Sequence, residues 1–98
     1  MILTTTNSIE GFKIAEYKGI VTGVSANKEK IVMSFSISKY YKSLQDSIDK
    51  VKEEAFQALV ENAKKLKANA VVGIKVDIEM TTHNYAMVSV TGTAVHVA

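Results

Sequence analysis

The sequence predicts an α+β fold in which one long helix packs on an antiparallel sheet, with a short additional strand at the N-terminus. Three observations predict this class. Apolar residues recur every three or four positions over residues 43–67, as on one face of a helix. Two β-prone runs with alternating apolar residues follow that segment, and another precedes it. A chain of 98 residues supports one core, so residues 1–98 form a single domain.

The chain before the helix contains two predicted strands. Residues 2–6 are β-prone and predict a small edge strand. Residues 12–26 predict a longer strand, and a change in the parity of its apolar positions indicates a β-bulge near Lys18 and Gly19. Residues 27–42 fit either a strand or a short helical turn, and periodicity leaves both alternatives open.

The long helix is predicted from one stripe of apolar residues and from its charges. Ser43 and Asp46 resemble a capping box at its start. Acidic residues dominate its first half and lysines its end, and both sets complement the helix dipole. The stripe consists of Leu44, Ile48, Val51, Ala55, Leu59, Ala63 and Leu66.

Residues 69–80 and 85–98 predict an antiparallel hairpin, because two β-prone runs are joined by four polar residues. We expect the last strand to lie between residues 69–80 and the first long strand. Gly73 and Gly92, each inside a strand, are interpreted as packing glycines. In the first strand of the hairpin, alternation places five residues on one face, which the helix then covers: Val72, Ile74, Val76, Ile78 and Met80.

The opposite face of this sheet is predicted to lack cover from the chain itself. Tyr85, Met87, Val95 and Val97 share that face by alternation, and no second helix is predicted. An exposed apolar patch of this kind is typical of a protein–protein interface. We therefore expect a homo-oligomer.

Composition excludes several classes of function. The chain has no cysteine, which excludes disulfides and thiolate ligands or nucleophiles. All twelve basic residues are lysines interleaved with acids, so no nucleic-acid partner is expected. No apolar run approaches the roughly 18 residues of a membrane span, and the N-terminus lacks the pattern of a signal peptide. The expected localisation is cytoplasmic, with no membrane partner.

A few residues are candidates for a site. Met80, His83 and Met87 flank the hairpin turn and offer two thioethers and an imidazole, which suit a soft ion such as Cu(I). The alternative is two packing methionines and an exposed loop histidine. Glu16 and Tyr17 could bind a ligand or transfer a proton, and Thr5 lies in a threonine run that could hold an anion. The alternatives are an exposed acid beside an interface tyrosine, and an ordinary edge strand.

Several sequence blocks resemble the YbjQ-like family, which is often labelled "putative heavy-metal-binding". They occur in the family's order and span nearly the whole chain: TTT at 4–6, IEG at 9–11, EYKGIVTG at 16–23, ANAVVGIKVDIE at 68–79 and MVSVTGTAV at 87–95. The resemblance implies a dodecin-like β-α-β-β subunit, assembled as a ring-shaped homopentamer, without an established reaction. Lys67 replaces the glycine usual in the family before the ANA segment, so we expect Asn69 to end the helix in its place.

Two classes of function follow. One is an oligomeric binding or scaffold protein that holds a small ligand or metal ion at subunit interfaces. The alternative is an enzyme with an unrecognised active site in a cleft between subunits. We favour the first, because the sequence contains no nucleophile–base pair and no cofactor fingerprint, and no cofactor is identified.

Overall fold

In a computed structural model, which describes residues 1–27, 36–81 and 85–98, one helix packs on a mixed four-stranded sheet. The elements follow in the order β1 (Ile2–Leu3), β2 (Ile14–Ala26), α1 (Ile37–Lys65), β3 (Ala70–Met80) and β4 (Ala86–Val97). Across the sheet the order is β1-β3-β4-β2, and β4 is antiparallel to both β2 and β3. The α+β class and the position of the last strand are confirmed. The sheet is mixed because β1 runs parallel to β3.

Helix α1 begins earlier than the sequence pattern predicted. Ser36 is the N-cap, in an extended conformation, and its hydroxyl accepts a hydrogen bond from the Lys39 N–H at 3.4 Å. The predicted start at Ser43 is therefore wrong, because the apolar spacing continues upstream through Tyr41 and Ile37. Of the segment 27–42 that the sequence left open, residues 37–42 are helical and residues 28–35 lie outside the described residues.

Helix α1 ends in a Schellman motif with a lysine in the left-handed position. Lys67 has φ 61°, its N–H donates to the Lys64 carbonyl at 2.9 Å, and the Ala68 N–H donates to the Ala63 carbonyl at 3.1 Å. The expectation that Asn69 ends the helix is wrong, because the motif requires its left-handed residue directly after the C-cap, Leu66. Asn69 instead pairs its side chain with the backbone of β4.

Of three register shifts in the described part of the sheet, one between Ile14 and Glu16 lies near the start of β2 and two further β-bulges affect which side chains face the helix. The one predicted near Lys18 and Gly19 is confirmed by a register shift between Tyr17 and Gly19. The second shifts the register of β3 between Val72 and Lys75, where Gly73 has φ 62°. A left-handed residue in a bulge favours glycine, so Gly73 is more than a packing glycine.

The bulge in β3 corrects the predicted alternation. Val71 and Ile74 lie in the cluster under the helix, whereas Val72 lies in a second cluster on the other face. The bulge is held by the N-terminal segment, because the Gly73 N–H donates to the Thr6 carbonyl at 2.8 Å and the Ile74 N–H to the Thr4 carbonyl at 3.1 Å. This extra residue explains why strict period 2 failed at Val72.

The core consists of two clusters, one on each face of the sheet. The larger one joins Val51, Ala55, Leu59 and Ala63 of α1 to the sheet residues Val21, Val71, Ile74, Val88, Val90 and Ala94. The smaller one contains Ala70, Val72, Val95 and Val97, with Ile9 and Ile14 packed against it. The prediction that the chain leaves Val95 and Val97 uncovered is therefore wrong, because apolar residues near the N-terminus pack across them. Tyr85 and Met87 on that face are half-buried.

Candidate functional site

Helix α1 covers only part of the sheet. It packs on β2 and β4, and two side-chain hydrogen bonds hold it over β2. Ser25 Oγ donates to Glu54 Oε2 at 2.7 Å, and Asn62 Nδ2 donates to the Thr22 carbonyl at 2.8 Å. A helix with its side chains is about 10 Å wide and strands lie about 4.8 Å apart, so one helix covers about two strands. The next strand, β3, therefore lies beside the helix.

The uncovered part of β3 is an apolar stripe on the helix side of the sheet. We call Val76, Ile78 and Met80 the β3 stripe. Their exposed fractions are 39 to 47%. They pair with three fully buried residues of β4, namely Val90, Val88 and Ala86. The prediction that the helix covers Val76 and Ile78 is wrong, because the helix is too narrow to reach a third strand at this end.

A second apolar stripe lies on the opposite face, along the edge strand β2. We call Tyr17, Ile20 and Val24 the β2 stripe. Ile20 is 79% exposed and Tyr17 is 69% exposed. A long edge strand with exposed apolar side chains is a natural site for association. Among the described residues, no helix combines the length and the apolar character needed to cross a membrane.

The threonine run near the N-terminus forms a tight turn against β3. Thr4 Oγ1 and Thr6 Oγ1 are 2.7 Å apart, and Thr6 Oγ1 donates to the Ser8 carbonyl at 2.6 Å. The Thr6 N–H donates to Thr4 Oγ1 at 3.1 Å. These hydroxyls hold the turn together, so only the exposed Thr5 side chain presents its hydroxyl away from this network.

Glu16 and Tyr17 occupy the other edge of the sheet and point away from each other. They pair with His96 and Val95 of β4, so as consecutive residues of a regular strand they lie on opposite faces. The Glu16 carboxylate is 3.1 Å from the Lys18 ammonium, and the Glu16 side chain is largely exposed. An exposed, paired carboxylate is typical of surface charge and does not by itself indicate proton transfer.

The predicted ligand-binding residues do not converge within one chain. Thr5 follows β1 at one edge of the sheet, whereas Glu16 and Tyr17 lie on β2 at the other edge. Three strand spacings separate these edges, which corresponds to about 14 Å. Thr5 and the pair of Glu16 and Tyr17 therefore form two separate groups in this chain.

The two methionines proposed as metal ligands lie on opposite faces of the hairpin. Met80 pairs with Ala86 and points to the helix side, whereas Met87 pairs with Glu79 and points to the other side. The hairpin register therefore does not bring the two thioethers to the same face of the sheet. His83 lies outside the described residues.

Comparison with known proteins identifies the family. Residues 1–98 match the sequence model of the YbjQ family, which is described as "Putative heavy-metal-binding". This chain belongs to the YbjQ family. The resemblance in its sequence blocks is thus confirmed.

Relatives of the YbjQ family match over nearly their whole length. A UPF0145 protein of Clostridium kluyveri is 42% identical over 104 residues, which cover 97% of each chain. A UPF0145 protein of Acetivibrio thermocellus is 35% identical over 103 residues, again with 97% of each chain covered. A solved structure of a DUF74-family protein of unknown function from Pediococcus pentosaceus aligns with a TM-score of 0.72 at 24% identity. It covers 100% of this chain and 98% of the other, and it shows the same fold.

In this YbjQ-family chain, the residues that the structure describes do not fit a tight heavy-metal site within one subunit. Soft metal ions favour thiolates, and the sequence has no cysteine. In residues 1–27, 36–81 and 85–98, no three His, Asp or Glu side chains are grouped so that they could hold a metal ion. His96 is exposed, and its strand partner is Glu16, which is bonded to Lys18. The chemistry of the donors therefore argues against the family's description at the level of a single chain.

Proposed function

We propose that the protein is a homo-oligomeric binding protein that holds a small ligand between its subunits. The observation that carries the proposal is the pair of exposed apolar stripes, one on each face of the sheet. A stable monomer of this size has little reason to expose six large apolar side chains on two strands, whereas neighbouring copies bury them. Five copies in a ring is what the family resemblance implies.

The location of the ligand follows from the separation of the polar candidates. Thr5 and the pair of Glu16 and Tyr17 lie at opposite edges of the sheet. A head-to-tail interface joins two different surfaces of identical chains, so it is the kind of contact that brings such groups together. The exposed hydroxyls and the carboxylate favour a small polar molecule over a soft metal ion.

Native mass spectrometry of the freshly purified protein tests this proposal. We expect an oligomer that carries the extra mass of a small organic ligand. Tyr17→Phe removes one exposed hydroxyl and should reduce ligand occupancy without changing the subunit number. Tyr85→Phe is the matched control, since it removes the hydroxyl of a half-buried tyrosine that lies outside β2 and outside the helix.

Three results would contradict the proposal. A monomer mass at micromolar concentration argues against self-association. An oligomer without added mass argues against a retained ligand. Turnover in a broad hydrolase and redox screen that is lost in Glu16→Gln argues for an enzyme in place of a binding protein.

A further inference from the structure

The first half of α1 extends beyond the sheet. Glu54 is hydrogen-bonded to Ser25, and Asn62 to Thr22, so the helix runs antiparallel to β2. The helix residues before Glu54 therefore extend past the end of β2 at Ala26. The helical segment 37–50 spans about 21 Å at 1.5 Å per residue. The longest dimension of the molecule is accordingly 54 Å, and its radius of gyration is 16.1 Å. A compact chain of this length has a radius of about 13 Å.

We call residues 37–50 the helix overhang, and its apolar side chains continue the buried stripe of the helix. Ile37, Tyr41, Leu44 and Ile48 follow each other at steps of four, three and four residues, and the buried Val51 comes three residues later. Ile37 is 73% exposed and Tyr41 is 62% exposed. The stripe that packs on the sheet further along the helix is thus exposed at Ile37 and Tyr41, whereas Leu44 and Ile48 are half-buried.

One flank of α1 faces an open groove on the side of β1 and β3. Glu54 and Asn62 point to β2, so Phe56 and Val60, which lie on the other flank, point away from it. These two residues line a groove of about 670 Å³ together with Leu3 of β1. The β3 stripe lies on this same side of the helix.

We propose that the helix overhang of one copy packs against the β3 stripe and the Phe56–Val60 flank of the next copy. This inference rests on the proposed self-association and names its interface. The overhang supplies an apolar helical face, and the sheet beside α1 lacks a helix over β3. A second helix beside the first completes the cover of this face of the sheet. Because the contact joins two different surfaces, repeating it generates a ring when the rotation closes.

Charges at the two surfaces are complementary. The groove is lined by the carboxylates of Glu53 and Glu61 and the ammonium of Lys64, a formal net charge of −1; its lining also includes Glu54, whose carboxylate accepts from Ser25 on the β2 side. The overhang carries three lysines, Lys39, Lys42 and Lys50, against Asp46 and Asp49, a formal net charge of +1, and it has no acidic residue in its first turn. Exposed pairs of this kind add little stability, but they orient an encounter and disfavour the reversed contact. The basic tip of the overhang therefore matches the acidic groove of a second copy.

Site-directed cross-linking tests the interface, because the natural chain has no cysteine. In the double variant Tyr41→Cys/Ile78→Cys, a short bismaleimide should link one copy to the next and yield a ladder on a denaturing gel. The ladder should extend to the subunit number measured by light scattering. The matched control is Tyr41→Cys/Ile20→Cys, since Ile20 is more exposed than Ile78 (79% against 47%) but lies on the other face of the sheet. We expect at least tenfold less ladder in this control.

A second double variant, Tyr41→Cys/Met80→Cys, tests the same contact at the next residue of the β3 stripe and should also yield a ladder. An oligomer that cross-links through Ile20 but not through Ile78 or Met80 overturns this interface while leaving the proposed self-association intact. Dimers of equal yield from Tyr41→Cys alone overturn it too, because they indicate a symmetric contact between overhangs. A monomer mass by light scattering overturns both the interface and the self-association.

Discussion

Gly23 is a point of close approach between α1 and β2, and Gly23→Ala tests whether this contact determines the packing of the helix. A Cβ at residue 23 would lie 2.0 Å from the Ala55 carbonyl oxygen and 2.5 Å from the Leu59 nitrogen. Both are backbone atoms of the helix, so no side-chain rotation relieves the contact. Helix and strand must separate by more than about 1 Å, which forfeits a quarter to a half of the dispersion energy across the gap.

The expected loss of stability in Gly23→Ala follows from the packing contacts that this separation weakens. Four helix residues are buried against the sheet, namely Val51, Ala55, Leu59 and Ala63. Overpacking usually costs about 1–3 kcal/mol, and a clash with rigid backbone belongs at or above the upper end. We expect the free energy of unfolding to fall by about 3–4 kcal/mol, which for a domain of this size lowers Tm by roughly 12–30 °C.

Urea unfolding followed by circular dichroism measures this change. With an m value of about 1–3 kcal/mol/M, the midpoint should fall by at least ~1 M. Thr22→Ala is the control, since Thr22 is exposed, lies on the other face of the same strand and adds no atom beneath the helix. All variants must be compared at one protein concentration, because association adds to apparent stability. A loss below about 1 kcal/mol in Gly23→Ala would refute the close approach as described.

Three further predictions follow from the helix end, its neighbouring asparagine and the donor set. Lys67→Gly should be more stable than Lys67→Ala by about 1 kcal/mol in thermal unfolding. A residue with a Cβ pays ~1–2 kcal/mol for left-handed geometry, and the greater flexibility of glycine in the unfolded state offsets only part of this difference. Equal stability of the two variants would contradict the left-handed assignment. Asn69 accepts from the Val97 N–H at 2.8 Å and donates to the Val97 carbonyl at 2.9 Å, so Asn69→Ala should lose about 2 kcal/mol. Asn69→Asp should also be destabilised at pH 7, because its second carboxylate oxygen faces the Val97 carbonyl without a proton to donate; unchanged stability in both variants would argue against this pairing. Excess EDTA should leave Tm unchanged, and His83→Ala should leave folding and subunit number unchanged, since the core clusters of the described residues are built from apolar side chains. A steep rise in Tm at one equivalent of Cu(I) or Zn(II), abolished by His83→Ala, would show the opposite.

Outside residues 27–42, which the sequence left open, the sequence alone determined the order and type of the elements. Helix and strand periodicities are local properties, so the stripe through Val51, Ala55 and Leu59 and the alternation in the hairpin are visible without a partner. The position of β4 between β2 and β3 followed from the short hairpin and the crossover helix. The bulge near Gly19 also left a local trace, since it changes the parity of apolar positions within one strand.

The candidate site could be predicted only as separate groups. The sequence identifies Thr5, Glu16, Tyr17 and the hairpin methionines by their chemistry, but not by their distances. Whether two such groups meet depends on strand order and register, which are set by residues far apart in the chain. Register places Met80 and Met87 on opposite faces, and strand order separates Thr5 from Tyr17.

Which apolar residues are covered was decided by the tertiary structure. The side of Val72 depends on a bulge that the N-terminal segment holds through the Thr6 carbonyl, and the cover of Val95 depends on Ile9 from the same segment. The exposure of Ile78 depends on where a helix about 10 Å wide lies on a sheet of four strands. Periodicity shows that a helix or strand has an apolar face to bury. Only the packing of the layers determines which element covers that face, because the contact joins elements distant in sequence.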